Sequence, residues 1–378
     1  MQLSANKLRE QLAHMKPMLT NCSLETTRRG QNALGELMRA AHHGQVRTKR
    51  HDFAHFQGAW VLPKDLRRDG VILYLHGGGY TCGGLDYALG FGSTLADESG
   101  AKVFCAAYRL APEAPFPAAV EDALESYRYL LDKGYAPKKI CLCGESAGGG
   151  LCFSLCLKLK ELRLPLPGSL IAISPWTDLT LSGESFRTNL ERDVSLSQEQ
   201  LAFYTRCYAQ EPKAPLASPL FGDLTGLPPS LIFVGGDELL LSDSQRIDQA
   251  LRSAGSSSQL IVHPERWHAY LLYGLAEDRE DWKTVDAFLT RHLSREQKLR
   301  WMRLDNAAKI YPAALRQNWS NVFRLSATLA EEVDTKVLQS ALDVTVRRFP
   351  SMCVRLRRGL FWYYLQQLNK APTIREES

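Results

Sequence analysis

Residues 140–155 read ICLCGESAGGGLCFSL. A short apolar run is followed by a glycine-studded turn and then by apolar residues at helical spacing, which predicts strand, tight turn, helix. Ser146 falls on the turn, with Gly144 two residues before it and Gly148 two residues after. Side chains at those positions collide with neighbouring elements in such a turn, and glycine removes the collision. The serine hydroxyl then stands above the sheet at a helix N-terminus, whose dipole favours developing negative charge. The N–H of Ala147 points to where an oxyanion forms. The stretch therefore predicts a nucleophilic serine on an α/β framework.

The framework extends in both directions. The runs VILYL (71–75), KVFCAA (102–107), LIAIS (170–174), LIFVG (231–235) and QLIVH (259–263) alternate with helical patterns such as AAVEDALESYRYLLDKG (118–134). That alternation predicts a mainly parallel sheet covered on both faces, with functional residues at the carboxyl ends of its strands. Residues 1–50 and about 180–215 interrupt the alternation. Both read as helical and are expected to close over that end as a lid.

The run 71–75 leads into His76-Gly77-Gly78-Gly79. Successive glycines let backbone N–H groups approach a ligand unobstructed, so Gly78 and Gly79 are expected to complete an oxyanion hole with Ala147. His76 precedes the loop and reads as a residue that orients it. The base must come from elsewhere among nine histidines. His263 ends a strand, His292 lies on the last helical pattern before Ser294, and His268, in PERWHAY, occupies the loop after a strand, where a base is needed. For the acid that orients the imidazole, IFVGGDELLLSDS offers Asp237, Glu238 and Asp243.

At this point HGGGY, YRLAPEAPFPAAVED (108–122), GESAGGG, SPWTDL (174–179), SPLFGDLTGLPP (218–229) and WHAY stand in one order. In that order residues 50–293 resemble the hormone-sensitive-lipase-like branch of the α/β-hydrolase family. The resemblance implies an eight-stranded core, an N-terminal helical cap and carboxylester hydrolysis without a cofactor or metal. It implies Ser146 as nucleophile, His268 as base, and Gly78, Gly79 and Ala147 as oxyanion donors. The family commonly places its acid in an acid-x-Leu pattern about thirty residues before the histidine. Glu238 fits both features and Asp237 is one residue off, so Glu238 is the expected acid and Asp237 the alternative. The serine motif carries Glu145 where the family usually has Asp, which keeps a carboxylate.

Of the 378 residues, 45% are hydrophobic and 23% charged, the balance of a globular protein with a sizeable core. No run of eighteen apolar residues predicts a membrane span, and the N-terminal stretch lacks a signal peptide's apolar core. Nine cysteines, an odd count, predict free thiols in a cytoplasmic protein. Cys141 with Cys143, and Cys152 with Cys156, are expected in the core. Residues 295–378 hold 15 Lys or Arg against 8 Asp or Glu, while the remaining 31 and 33 nearly cancel. No nucleic-acid motif accompanies that basic surplus, which reads as a solvated face; the resemblance implies a small-molecule ester as the partner, with no nucleic acid.

The charge shift marks a boundary near Ser294, and with the helical readings and the resemblance three parts are expected: a helical cap (1–50), a catalytic domain (51–294) to which 180–215 adds cap, and an α+β extension (295–378). In the extension SNVFRLSATL (320–329) reads as a strand and DTKVLQSALDVTVRRFP (334–350) as a helix capped by Asp334 and stopped by Pro350. MCVRLRRGLFWYYLQQL (352–368) reads as a strand pair turning at Gly359. This resembles the N-terminal part of the condensation or alcohol-acyltransferase fold, without that fold's His-His-x-x-x-Asp. It is expected to act in stability or in self-association through a strand edge rather than in chemistry. Two other functions stay open: acyl transfer to an alcohol, and ligand binding without catalysis, against which His268 argues.

Overall fold

The six apolar runs form six parallel strands, and two further strands precede them. The computed structural model describes residues 4–20, 22–293, 301–303, 334–348, 354–358, 363–367 and 373. In chain order the elements are α1 (Ala5–Thr20), α2 (Leu24–Ala41), β1 (Val46–Asp52), β2 (Gln57–Pro63), β3 (Val71–Leu75), α3 (Leu85–Ser99), β4 (Lys102–Ala107), α4 (Ala118–Asp132), β5 (Ile140–Glu145) and α5 (Ala147–Glu161). Then come β6 (Ser169–Ile173), α6 (Ser185–Thr188), α7 (Gln198–Tyr208), β7 (Ser230–Gly235), α8 (Leu241–Ser253), β8 (Ser258–His263) and α9 (Arg279–Leu293). The sheet order is β1-β2-β4-β3-β5-β6-β7-β8. Strands β3 to β8 run parallel, and the β1–β2 hairpin joins antiparallel at β4.

The two-residue period of a strand sorts the core onto both faces. Val71, Leu73 and Leu75 of β3 join the core beneath α4 and α5, while Ile72 and Tyr74 join the opposite core with residues of α3 and α9. Cys141 and Cys143 of β5 belong to that second core, and Cys152 and Cys156 of α5 to the first; all four are fully buried. Burial pushes the Cys141 thiol up to about 12, so these sulfurs stay protonated and inert.

The helical expectation for 1–50 ends early, because Val46–Asp52 is already strand β1. VRTKRHD is an edge strand whose residues are exposed or half-buried, so it shows no apolar alternation. Helices α2 and α3 cross where Gly35 meets Gly90, and a Cβ on either would overlap the other helix's backbone.

Strand order reverses between β3 and β5, the neighbours at which the chain turns from building one side of the sheet to the other. The loops after these two strands carry the glycine run and Ser146. Ligands of open α/β sheets bind at such switch points.

The chain divides into compact units Met1–Ser294 and Arg295–Ser378. In the second, Trp301–Arg303, Val354–Arg358 and Tyr363–Gln367 form an antiparallel sheet with Tyr363–Gln367 in the middle. A helix spans Thr335–Arg348, and Asp334 Oδ1 caps it by accepting from Lys336 N at 2.8 Å and Val337 N at 3.2 Å. The expected strand 320–329 and the turn at Gly359 lie outside the described residues. Among the described residues, no helix is long and apolar enough to cross a membrane.

Candidate active site

Ser146 joins β5 directly to α5, with φ 55° and ψ −124°. A non-glycine residue held there stores strain, roughly 1–3 kcal/mol, which the surroundings must impose. Three backbone bonds do so: Ser146 N donates to Ile173 O at 2.9 Å, while Ser146 O accepts from Trp176 N at 2.9 Å and Gly150 N at 3.1 Å. A Cβ at Gly144 would strike the Gly148 carbonyl, and one at Gly148 the carbonyls of Leu75 and His76. The glycines therefore let β5, α5 and the end of β3 approach closely, and Ser146 is left at the rim of a cavity.

Glu145 is completely buried beneath the turn. Its Oε1 accepts from Gly77 N at 2.6 Å and its Oε2 from the Tyr74 hydroxyl at 2.6 Å. Burial pushes this carboxyl up to about 7, against the pull of those two donors. Glu145 thus ties the glycine loop to the serine turn, a role that its motif, which shows only a retained carboxylate, does not record. The loop has φ 107° at Gly78 and 62° at Gly79, values that glycine alone adopts freely. A Cβ at Gly79 would also overlap the Tyr204 ring. Among the described residues, the N–H groups of Gly78 and Gly79 donate to no protein acceptor. The His76 imidazole stacks on Tyr108 with ring centroids 4.3 Å apart, and its Nδ1–H donates to Gly77 O at 2.7 Å. Burial lowers His76 to about 4, so it stays neutral.

His268 follows β8, and its Nδ1 donates to Glu238 Oε2 at 3.1 Å. Glu238 follows β7 and is completely buried. Burial raises its carboxyl above 4.5, with His268 pulling the other way. For His268 burial presses downward, but the hydrogen bond and charge of Glu238 outweigh it and hold the imidazole above 6.5. Two residues missed in the sequence support the pair. Ser174 Oγ accepts from Ala269 N at 3.0 Å. Asp193 accepts from Leu239 N at 2.7 Å, beside Glu238, and from Ser195 N at 2.7 Å and Leu196 N at 2.8 Å.

The other acids are engaged elsewhere. Asp237 Oδ2 pairs with Arg9 of α1 at 2.8 Å, and Oδ1 pairs with Arg192. Asp243 Oδ2 accepts from the backbone N–H groups of Thr177 at 2.8 Å and Asp178 at 2.9 Å. His263 donates to Pro264 O at 3.0 Å.

Ser146, His268, Gly78 and Gly79 open on one cavity of about 380 Å³. Leu8, Leu12 and Met15 of α1, Leu34 of α2, and Leu196 and Leu201 of the 180–215 segment wall it. Both stretches read as a lid thus face the site. A wider surface cleft of about 860 Å³ at Leu181, Arg206 and Pro212 contains none of these groups. The geometry brings together a strained hydroxyl, an imidazole polarised by a carboxylate, free backbone donors and an apolar chamber, the components of acyl transfer through a covalent intermediate.

Residues 72–272 match the family model for the alpha/beta hydrolase fold. The chain is 41% identical over 240 residues to an acetyl-hydrolase of Streptomyces hygroscopicus, covering 62% of this chain and 80% of that one. It is 36% identical over 206 residues to an esterase of Acinetobacter venetianus, covering 54% and 68%. A crystal structure of an esterase from the bacterial hormone-sensitive lipase family superposes with a TM-score of 0.69 at 35% identity, covering 75% of this chain and 97% of that one. By its matched residues and its sheet, the chain belongs to the alpha/beta hydrolase fold family.

Proposed function

We propose that this protein hydrolyses carboxylic esters through an acyl-enzyme on Ser146. His268 accepts the hydroxyl proton through Nε2 as Ser146 Oγ attacks the ester carbonyl. Glu238 keeps Nδ1 protonated and stabilises the imidazolium. The N–H groups of Gly78, Gly79 and Ala147 receive the oxyanion. Collapse breaks the C–O bond, and the alcohol leaves with the proton from His268. Water then repeats the sequence, releasing the acid and restoring Ser146. The observation that carries this is that His268, hydrogen-bonded through Nδ1 to the buried Glu238, lines the same cavity as the strained Ser146. Short acyl chains fit a chamber of about 380 Å³. Ser146→Ala is expected to abolish turnover of p-nitrophenyl acetate in a protein with an unchanged circular dichroism spectrum. Retention of a tenth of wild-type turnover contradicts the assignment.

We further propose that the protein acts in the cytoplasm, where a reducing medium keeps its thiols free, and that it needs no nucleic acid. Residues 295–378 serve as a partial acyltransferase-like extension for stability or self-association. Truncation after Ser294 is expected to change light scattering or melting temperature while p-nitrophenyl acetate turnover persists. A stable, unchanged monomer without turnover contradicts that role.

A further inference from the structure

The cavity over Ser146 is apolar in most of its wall, yet Gln11, Thr27, Gln31, Ser195 and Gln200 also face it. Among the described residues, no Lys or Arg lines it. Its carboxylate, Glu145, is already engaged by Tyr74 and Gly77. A charged substrate therefore finds no counter-charge, and the chamber suits a neutral molecule.

The polar side chains differ in what remains free. Thr27 donates to Ser23 O at 3.1 Å, and Ser195 donates to Asp193 Oδ1 at 3.0 Å. The Gln200 side chain lies within electrostatic reach of the Tyr204 hydroxyl. Gln11 is exposed, so water can satisfy its amide. Gln31 is different: its carbonyl oxygen is buried and meets no donor among the described residues. It lies 3.1 Å from where a Cβ on Gly78 would sit, beside the loop that faces the reacting carbonyl. A buried acceptor without a donor is costly, and a ligand that supplies one recovers that cost. A carbonyl oxygen repels an oxyanion, so its use is to accept from the substrate.

We infer that Gln31 selects neutral esters bearing a free hydroxyl close to the scissile carbonyl, such as partly acylated polyols or hydroxyacyl esters. This rests on the esterase function proposed above. The hydroxyl donates to Gln31 Oε1 while the ester carbonyl takes the glycine-loop donors, so one substrate satisfies both sets. A methyl in place of that hydroxyl leaves the Gln31 oxygen buried and unpaired, and discrimination follows.

Two near-isosteric pairs test this: 2-hydroxyethyl acetate against propyl acetate for a hydroxyl on the alcohol, and methyl glycolate against methyl propionate for one on the acyl group. The wild-type kcat/KM ratio within each pair is divided by the ratio of hydroxide-catalysed rates, which removes intrinsic reactivity. Preference for the hydroxyl member by about tenfold is expected in at least one pair. Gln31→Met, which keeps length and loses the acceptor, is expected to abolish the preference, and Gln31→Glu, which keeps an acceptor, to retain it. If Gln31→Met does not fold, the corrected wild-type ratios decide alone. Wild-type ratios near one in both pairs overturn the inference, as does Gln31→Met slowing both members equally. Absence of wild-type p-nitrophenyl acetate turnover defeats the esterase function itself, whereas turnover with level ratios defeats only the selectivity.

Discussion

The floor and the cover of the cavity are built differently. The floor is backbone: Ser146 at φ 55°, Gly78 and Gly79 at positive φ, and the closely packed ends of β3, β5 and α5. Its supporting groups, Glu145 and Glu238, are completely buried and hydrogen-bonded. The cover is side chain: α1, α2 and α7 present leucines, Met15 and glutamines, and Met15 is 49% exposed. Polar contacts at the periphery hold α1 down. Arg9 pairs with Asp237 at 2.8 Å and donates to Glu265 O at 2.8 Å, and Lys16 donates to Asp193 O at 2.5 Å. We propose that the floor, fixed by steric exclusion, sets the chemistry, and that the cover, built of side chains, sets which molecules reach it.

Adjacent carboxylates offer the sharpest way to break this comparison, because Glu238 serves the floor and Asp237 the cover. Glu238→Gln is expected to lower turnover on the order of 10⁴-fold, as loss of an orienting acid does in serine triads. Asp237→Asn is expected to cost less than about tenfold, since it loosens α1 rather than the imidazole. Steady-state kinetics on p-nitrophenyl acetate decides, and a larger loss in Asp237→Asn reverses the assignment. Next in size, Glu145→Leu frees Gly77 from the serine turn. Turnover is expected to fall about 10²-fold, the scale of a displaced oxyanion donor, with KM little changed. A rise in KM alone would place Glu145 with the cover.

The pH profile follows from His268. As the proposed base the imidazole must be neutral to accept the proton, and Glu238 raises it above its ordinary range. Catalysis is therefore expected to be lost as pH falls through a limb above pH 6.5 in kcat/KM. In Glu238→Gln the carboxylate's support is gone, so the residual activity is expected to show that limb at lower pH. A limb that stays in place detaches Glu238 from His268. The smallest effect belongs to the cover: Arg9→Met is expected to raise KM two- to fivefold at unchanged kcat, the range of a partly exposed ion pair. A kcat loss without a KM change would mean that Arg9 reaches the triad.

The same division explains what the sequence made legible. The parallel strands were readable because strands buried on both faces are continuous apolar runs, and Ser146 because steric exclusion demands Gly144 and Gly148. The placement of His268, the proposed base, was readable from its position after a strand. The hairpin strand Val46–Asp52 was not, since an exposed edge strand needs no apolar alternation. The Glu145 tether, the Asp193 brace and the Gln31 oxygen, unpaired among the described residues, were hidden for another reason. Each depends on residues far apart in the chain, such as Glu145 with Gly77, or Asp193 with Leu239. No local pattern records such a meeting. Choosing between Asp237 and Glu238 required spacing from a resemblance, and the structure adds their distinct partners.

The central claim is that the strained serine of the floor is the nucleophile. Treatment with a serine-directed organophosphate, followed by peptide mass spectrometry, tests it most directly. One adduct is expected, on the peptide containing Ser146, formed in step with loss of esterase activity and absent from Ser146→Ala. Inactivation with the adduct on another residue, or full labelling of Ser146 with turnover intact, contradicts the account.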